Sequence, residues 1–157
     1  MSLAITVEAP HLAALELRVR KLAAGLGDAG DLLEALGAEL ESQTRRRIAA
    51  GGPAPDGTPW KPWSDAYERT RHGGQSLLLS EGGLLDSIQS AVSGGTLETG
   101  SNLIYAALHQ FGGTSDMPAG PAAVPAREWL GIGPEEAREL DGIIDAWLSA
   151  AAAEALA

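Results

Sequence analysis

The sequence predicts an α+β fold: a small antiparallel twisted sheet with a β-hairpin, packed against N-terminal helices and a C-terminal helix, with two proline-rich arms. Three observations predict it. Apolar residues recur at helical spacing over 12–26, 33–48 and 140–151. A strand–turn–strand pattern closes on Ser93-Gly94-Gly95-Thr96. Two proline-punctuated stretches, 51–63 and 114–127, fit no sheet interior, because proline fixes φ and lacks an N–H. At 157 residues the chain is one domain's length. A chain of about 150 residues buries about 68–70% of its unfolded surface and needs no staples to fold.

Residues 1–8 read as a strand. Leu3, Ile5 and Val7 alternate with Ala4, Thr6 and Glu8, the period-two pattern of a half-buried strand. The helical part covers 10–50. Pro10 suits a first helical turn, and Leu12, Leu15, Val19, Leu22 and Leu26 form one stripe before Gly25 and Gly27 stop it. Asp28 or Asp31 can cap a second helix, which buries Leu33, Leu36, Leu40 and Ile48. Arg45, Arg46 and Arg47 fall in its last turn, where cations complement the helix dipole, and Gly51-Gly52 ends it.

Residues 51–63 make the first arm, with prolines at 53, 55, 59 and 62 and tryptophans at 60 and 63. Burying a large apolar side chain is worth roughly 1.5–3 kcal/mol. Trp60 and Trp63 therefore either fold back on their own core or dock into a neighbouring subunit. Ser64 caps a short polar helix within 64–73. The span 82–132 holds the hairpin, an apolar segment and the second arm. The hairpin covers about residues 86–100. Residues 103–111 are apolar, helical or extended, and stop at Gly112-Gly113. The arm 114–127 carries prolines at 118, 121 and 125, and connections of that length are usually functional or disordered. Residues 127–132 form a brief strand or turn. The last helix runs over 134–157. Gly133 caps it, Pro134 takes its first position, Glu135 and Glu136 face the positive dipole end, and Leu140, Ile144, Trp147, Leu148 and Ala151 form its buried stripe.

Composition narrows function. The net charge is -10, which disfavours direct recognition of nucleic acid or of an anionic membrane. The start lacks the basic and apolar regions of a signal peptide. No stretch reaches the about 18 apolar residues of a membrane span. There is no cysteine, so disulfide and thiolate chemistry are excluded. The acidity is uneven: residues 101–157 hold eight acids against two basic residues. That stretch either keeps the chain soluble or steers it toward a basic partner, the second being the reading of a small acidic adaptor or regulator.

His11, His72 and His109 have no metal-binding spacing, and no phosphate loop or nucleophile motif is present. Ser80, Ser87 and Ser101 are conceivable nucleophiles for a His109-dependent hydrolase, but nothing in their spacing marks a triad. His109 reads as a structural imidazole donating to a backbone carbonyl. Asp56, Asp86 and Asp116 stand beside turn residues, where aspartate satisfies the backbone. No catalytic residue, metal site or cofactor is expected. Rigid core plus aromatic arms is the form of an assembly subunit.

Four stretches carry a resemblance in order: Asp56–Pro62, Gly82–Ile88, Tyr105–Gly112 and Pro125–Gly131. Together, over about residues 30–132, they resemble the virion morphogenesis (tail completion) family of tailed phages. The shared positions are Gly57, Trp60, Pro62, Gly82, Leu84, Ser87, Tyr105, His109, Phe111, Gly112, Pro125, Arg127 and Gly131. Trp63, Glu128 and Trp129 depart from it, where an aliphatic residue, a proline and a phenylalanine are expected. The resemblance implies a structural protein that finishes the tail and allows head joining. Related neck and tail-terminator proteins form rings, often hexamers, through heterologous interfaces that close. The implied partners are the chain itself, the tail tube and the head-completion or connector proteins. The implied location is the bacterial host cytoplasm during assembly and then the virion. Trp60, Trp63, Tyr105, His109, Phe111, Arg127 and Trp129 are the candidate subunit contacts, and the family implies no catalytic residue.

Overall fold

The structure is a computed structural model and describes residues 12–14, 16–17 and 29–155. The expected strand 1–8 lies outside the described residues, as does most of the expected first helix. Residues 12–14 and 16–17 are helical, and Leu12 packs on the core formed by the later helices.

Helix α1, Gly30–Ala50, is the central element. It buries Leu32, Leu33, Leu36, Gly37, Gln43, Thr44, Arg47 and Ile48, with Leu40 half-buried. The expected aspartate cap is not made. Ala29 occupies the N-cap position without a side-chain bond, and Asp31 sits in the first turn, where its charge meets the dipole. The expected glycine stop is made: Gly51 adopts φ 78°, and the N–H groups of Gly51 and Gly52 donate to the Ile48 and Arg47 carbonyls. Such a left-handed C-terminus favours glycine, which has no Cβ to clash.

Two short helices follow, α2 (Asp65–Glu68) and α3 (Gly83–Asp86). Ser64 Oγ accepts the Tyr67 N–H, as its capping role requires. The hairpin then forms from β1, Ile88–Ser93, and β2, Thr96–Ser101, antiparallel from Ile88 opposite Ser101 to Ser93 opposite Thr96. Gly94 and Gly95 both have positive φ, 55° and 76°, which gives a two-residue hairpin turn its matching twist. Among the described residues the sheet has these two strands.

An isolated two-stranded hairpin is marginal in water; this one lies on α1, which packs against both strands and against the last helix. Gly37 permits the close approach, since a Cβ there would stand 2.9 Å from Leu97 Cδ1. Helix side chains also bond the β1 backbone. Glu41 accepts the Ser90 N–H at 2.6 Å, and Arg45 donates to the Ile88 carbonyl at 2.5 Å. An otherwise open strand edge is thereby satisfied.

The apolar segment resolves to helix α4, Ala106–Phe111. The second arm contains one turn of helix, α5 (Ala119–Ala122). Residues 127–132 are irregular, with a bend at Leu130 and Gly131, and pair with no strand among the described residues. Helix α6, Pro134–Ala155, closes the order. It begins as expected: the Gly133 N–H donates to Glu136 Oε2 at 2.7 Å. Leu140 and Ile144 are fully buried, and Trp147 and Leu148 pack at the edge.

Two apolar clusters form the core. One gathers Ile48, Ala54, Trp60, Leu78, Leu84, Ile88, Ala106, Trp129 and Leu130. The other joins α1 to α6 through Leu32, Leu33, Leu36, Ile132, Leu140 and Ile144. The strap 127–133 reaches both, with Trp129 and Leu130 in the first and Ile132 in the second.

Candidate functional site

The motif stretches, far apart in the chain, meet around this strap. A segment that pairs with no strand among the described residues must find partners for its backbone elsewhere. Gln110, on the inner side of α4, supplies three of them. Its Oε1 accepts the N–H groups of Trp129 and Leu130, and its Nε2 donates to the Leu130 carbonyl, each at 3.0 Å. The amide thus stands in for a neighbouring strand. Trp129 Nε1 returns a bond to the Ala106 carbonyl at 3.0 Å. Arg47 approaches from α1, donating to the carbonyls of Trp129 (2.9 Å) and Gly131 (3.2 Å) and forming an ion pair with Glu136. Burial holds the Arg47 guanidinium below the usual arginine value, against the opposing pull of Glu136.

The first arm is tied to the same strap. Arg127 donates to the carbonyls of Lys61 (2.7 Å) and Pro62 (3.0 Å), while its own N–H donates to the His109 carbonyl at 2.7 Å. Trp60 Nε1 donates to the Glu128 carbonyl at 3.1 Å. The second stretch joins through Ser87, whose Oγ lies 2.7 Å from Ser101 Oγ, and through Leu84 in the first cluster. Asp56 behaves as a turn aspartate, its Oδ1 accepting the Thr58 N–H at 2.8 Å and its carboxyl held below the usual range by that bond.

This arrangement divides the expected contact residues. Trp60, Arg127 and Trp129 are buried in their own chain. Of the two readings open for Trp60 the structure takes the fold-back on its own core, and the Arg127 guanidinium is engaged by two carbonyls of the first arm. Proline punctuation keeps the arm out of the sheet but does not keep it off the core. Trp60→Ala should therefore lower stability by about 3–5 kcal/mol in urea denaturation, the range for deleting a buried aromatic ring. Trp63 is half-buried, with Nε1 3.3 Å from the Leu77 carbonyl and its ring edge-on to Tyr67. The outward members are Tyr105 and Phe111, 40% and 63% exposed, together with Ile104 at 85%. Sequence reasoning passed over Ile104, Gln110 and Arg47. The spacing 104, 107, 108, 111 was the readable sign of a second apolar face on α4.

His109 lies between the two sets. Its ring meets Tyr105 edge-on, with centroids 6.0 Å apart, and its buried Nδ1 has no hydrogen-bond partner among the described residues. The expected donation to a backbone carbonyl is not made at that nitrogen. Burial first, and then the Arg127 charge, hold the imidazole below its ordinary value of 6.5. The unfolded chain therefore binds this proton more readily, and stability falls as pH drops below 6.5. His109→Gln should flatten that part of a plot of melting temperature against pH. An unchanged slope in the variant would assign the acid sensitivity elsewhere.

The chemistry available here is limited. Ser87 and Ser101 bond each other, and Ser80 contacts Arg71 and Gln75. Among the described residues no group of three His, Asp or Glu side chains is placed to hold a metal, and no helix is long and apolar enough to cross a membrane. An open cleft of about 490 Å³ lies between the end of α1, residues 52–57 and the start of α6, with Gln43, Arg46, Glu135 and Glu139 on its walls.

Comparison with known proteins places these features. Residues 11–149 match the model of the phage virion morphogenesis family. Over 120 residues the chain is 36% identical to protein G of Escherichia phage Mu, whose name assigns it to capsid assembly. That match covers 74% of this chain and 77% of the Mu protein. No solved structure matches. The family match takes in the hairpin, both arms and the first four turns of α6, and so includes every segment that meets at the strap; the chain belongs to the phage virion morphogenesis family.

Proposed function

We propose that this virion assembly protein acts in tail completion and head–tail joining, by self-assembly and binding and without turnover. Membership of the family and likeness to the Mu assembly protein support the structural role. The observation that carries the mode of action is the division of labour among the motif residues. Trp60, Gln110, Arg127 and Trp129 lock a backbone strap, while Tyr105, Phe111 and their neighbour Ile104 remain outside with apolar surface exposed. Large exposed apolar groups held on a rigid base mark a surface for another protein. The nearby serines bond to partners other than His109, and that arrangement favours binding over hydrolysis.

The partners in this reading are further copies of the chain, forming a ring, and the tail tube and head-completion proteins on either side. The location is the host cytoplasm during assembly and then the finished virion. The test is to disrupt the gene in a phage that carries it and inspect lysates by electron microscopy. Separate filled heads and unjoined tails are expected, with joining restored by the purified protein. Normal joined particles, or a block at head formation, would rule the reading out.

A further inference from the structure

The two edges of the hairpin are not alike. On β1 the Ser90 N–H and the Ile88 carbonyl point away from β2, since Glu41 accepts the first and Arg45 donates to the second. In an antiparallel ladder, directly opposite residues either exchange bonds with each other or both turn their backbone groups outward. Ser101 and Thr99 stand opposite Ile88 and Ser90, and Leu97 is in phase with them. The N–H and carbonyl groups of Leu97, Thr99 and Ser101 therefore line the outer edge of β2, where no described residue bonds them. Ser101 is buried, and Leu97 and Thr99 are half-buried; backbone groups drawn away from water need partners. Helix α1 satisfies one edge, and the other is a template for a further strand.

The side chains of the same three residues face inward. Leu97 packs on the second core cluster, close to Gly37. Thr99 Oγ1 lies 2.8 Å from Ser90 Oγ, which bonds the Gly37 carbonyl. Thr96 and Glu98, between them in phase, are exposed. A strand added at this edge needs apolar residues in that alternation. Residues 1–8, outside the described residues, carry it: Leu3, Ile5 and Val7 alternate with Ala4, Thr6 and Glu8. Leu12, four residues beyond Glu8, packs on the same cluster as Leu97. Four residues span up to about 14 Å, so the segment is tethered within reach of β2.

We propose that residues 3–8 pair antiparallel with the outer edge of β2 in the same chain and complete a three-stranded sheet. Glu8 stands opposite Thr96 and Leu3 opposite Ser101, the register that uses the full length of β2. Val7, Ile5 and Leu3 then lie beside Leu97, Thr99 and Ser101 on the inner face, as cross-strand pairs, and exchange backbone bonds with them. A slip of one residue would turn Glu8, Thr6 and Ala4 inward. The antiparallel direction brings Glu8 to the turn end of β2, beside Leu97, from which the chain continues to Leu12. The segment guards the sheet: it closes an edge on which a second copy could add a strand, and leaves association to other surfaces.

The chain has no cysteine, so paired cysteines in the full chain report this register. Thr6 and Glu98 would form a non-hydrogen-bonded pair with Cα atoms about 4.5 Å apart, within the roughly 4.4–6.8 Å of a disulfide. Circular dichroism shows first that each variant is folded. Thr6→Cys with Glu98→Cys should then lose its free thiols rapidly on mild oxidation while remaining a monomer on a non-reducing gel. Thr6→Cys with Thr96→Cys, a slip of two residues, should react more slowly, as should Thr6→Cys with Ala91→Cys, since Ala91 lies one strand further away, opposite Glu98. Hydrogen exchange followed by nuclear magnetic resonance gives a readout on the unaltered protein. The Leu97 and Thr99 amides should be protected, and Ile5→Pro, which removes a donor opposite Thr99, should speed exchange at Thr99 by roughly tenfold or more. Equal oxidation rates in the three pairs, or freely exchanging Leu97 and Thr99 amides in the wild type, overturn the proposal. A disulfide that forms between chains also overturns it, assigning the edge to a second copy.

Discussion

Trp129→Ala is expected to lower the unfolding free energy by about 3–5 kcal/mol, the range for removing a fully buried aromatic side chain. Single domains are stable by about 5–15 kcal/mol, so the variant should be partly unfolded at moderate temperature. The indole has no exposed surface, lies in the first core cluster and donates to the Ala106 carbonyl. Deleting it leaves a cavity and an unpaired carbonyl in the segment where the strap crosses α4. Trp129→Phe separates the two effects. It keeps most of the packing and loses the hydrogen bond, so its loss should be about 1–3 kcal/mol. Urea denaturation followed by far-ultraviolet circular dichroism reads both. An alanine variant within about 1 kcal/mol of wild type, the size of an ordinary substitution, would show that the strap is not held through this residue.

Arg47→Met should have a comparable effect through a different cause. The methionine retains an apolar stem but removes every donor. The Trp129 and Gly131 carbonyls lose their partner, and Glu136 is left as a mostly buried carboxylate without its cation. Breaking a buried pair by removing one member costs about 3–5 kcal/mol, chiefly because the remaining charge is uncompensated. Arg47→Lys should recover little, since an ammonium is a point charge and cannot reach two carbonyls and a carboxylate in the planar arrangement of a guanidinium. Arg47→Met combined with Glu136→Gln should lose less than the two single losses added together, because the shared interaction is counted once. The glutamine still offers an acceptor to the Gly133 N–H, so the helix start is preserved. Strict additivity in a double-mutant cycle would show that the two side chains do not act as a pair.

These two residues show where sequence reasoning reaches its limit. Arg47 stands in a run of three arginines at a helix end, and the local pattern explains all three by the dipole. In the folded chain they separate. Arg46 pairs with Glu39 and Glu139 at the surface, Arg45 bonds the edge of β1, and Arg47 enters the core. Positions 45, 46 and 47 point in directions about 100° apart on a helix, and only the placement of α6 and the strap decides which direction is inward. Trp60 and Trp63 repeat the lesson on a loop. The prolines around them show that neither belongs to a sheet, but the depth of Trp60 depends on the strap 68 residues later in the chain, and Trp63 leans on Leu77 and Tyr67.

What is local could be read from the chain alone: the glycine stop of α1, the two-glycine hairpin turn with its strands, the Ser64 cap, the start and stripe of α6, the acidity, and the ordered motifs that indicate the family. Each depends on backbone preferences or on periodicity over a few residues, which the chain carries wherever it folds. Which motif residues hold the strap and which face outward follows from the folded arrangement. That division depends on contacts between segments tens of residues apart, where the same apolar side chain serves equally well as core or as interface until the surrounding elements are in place.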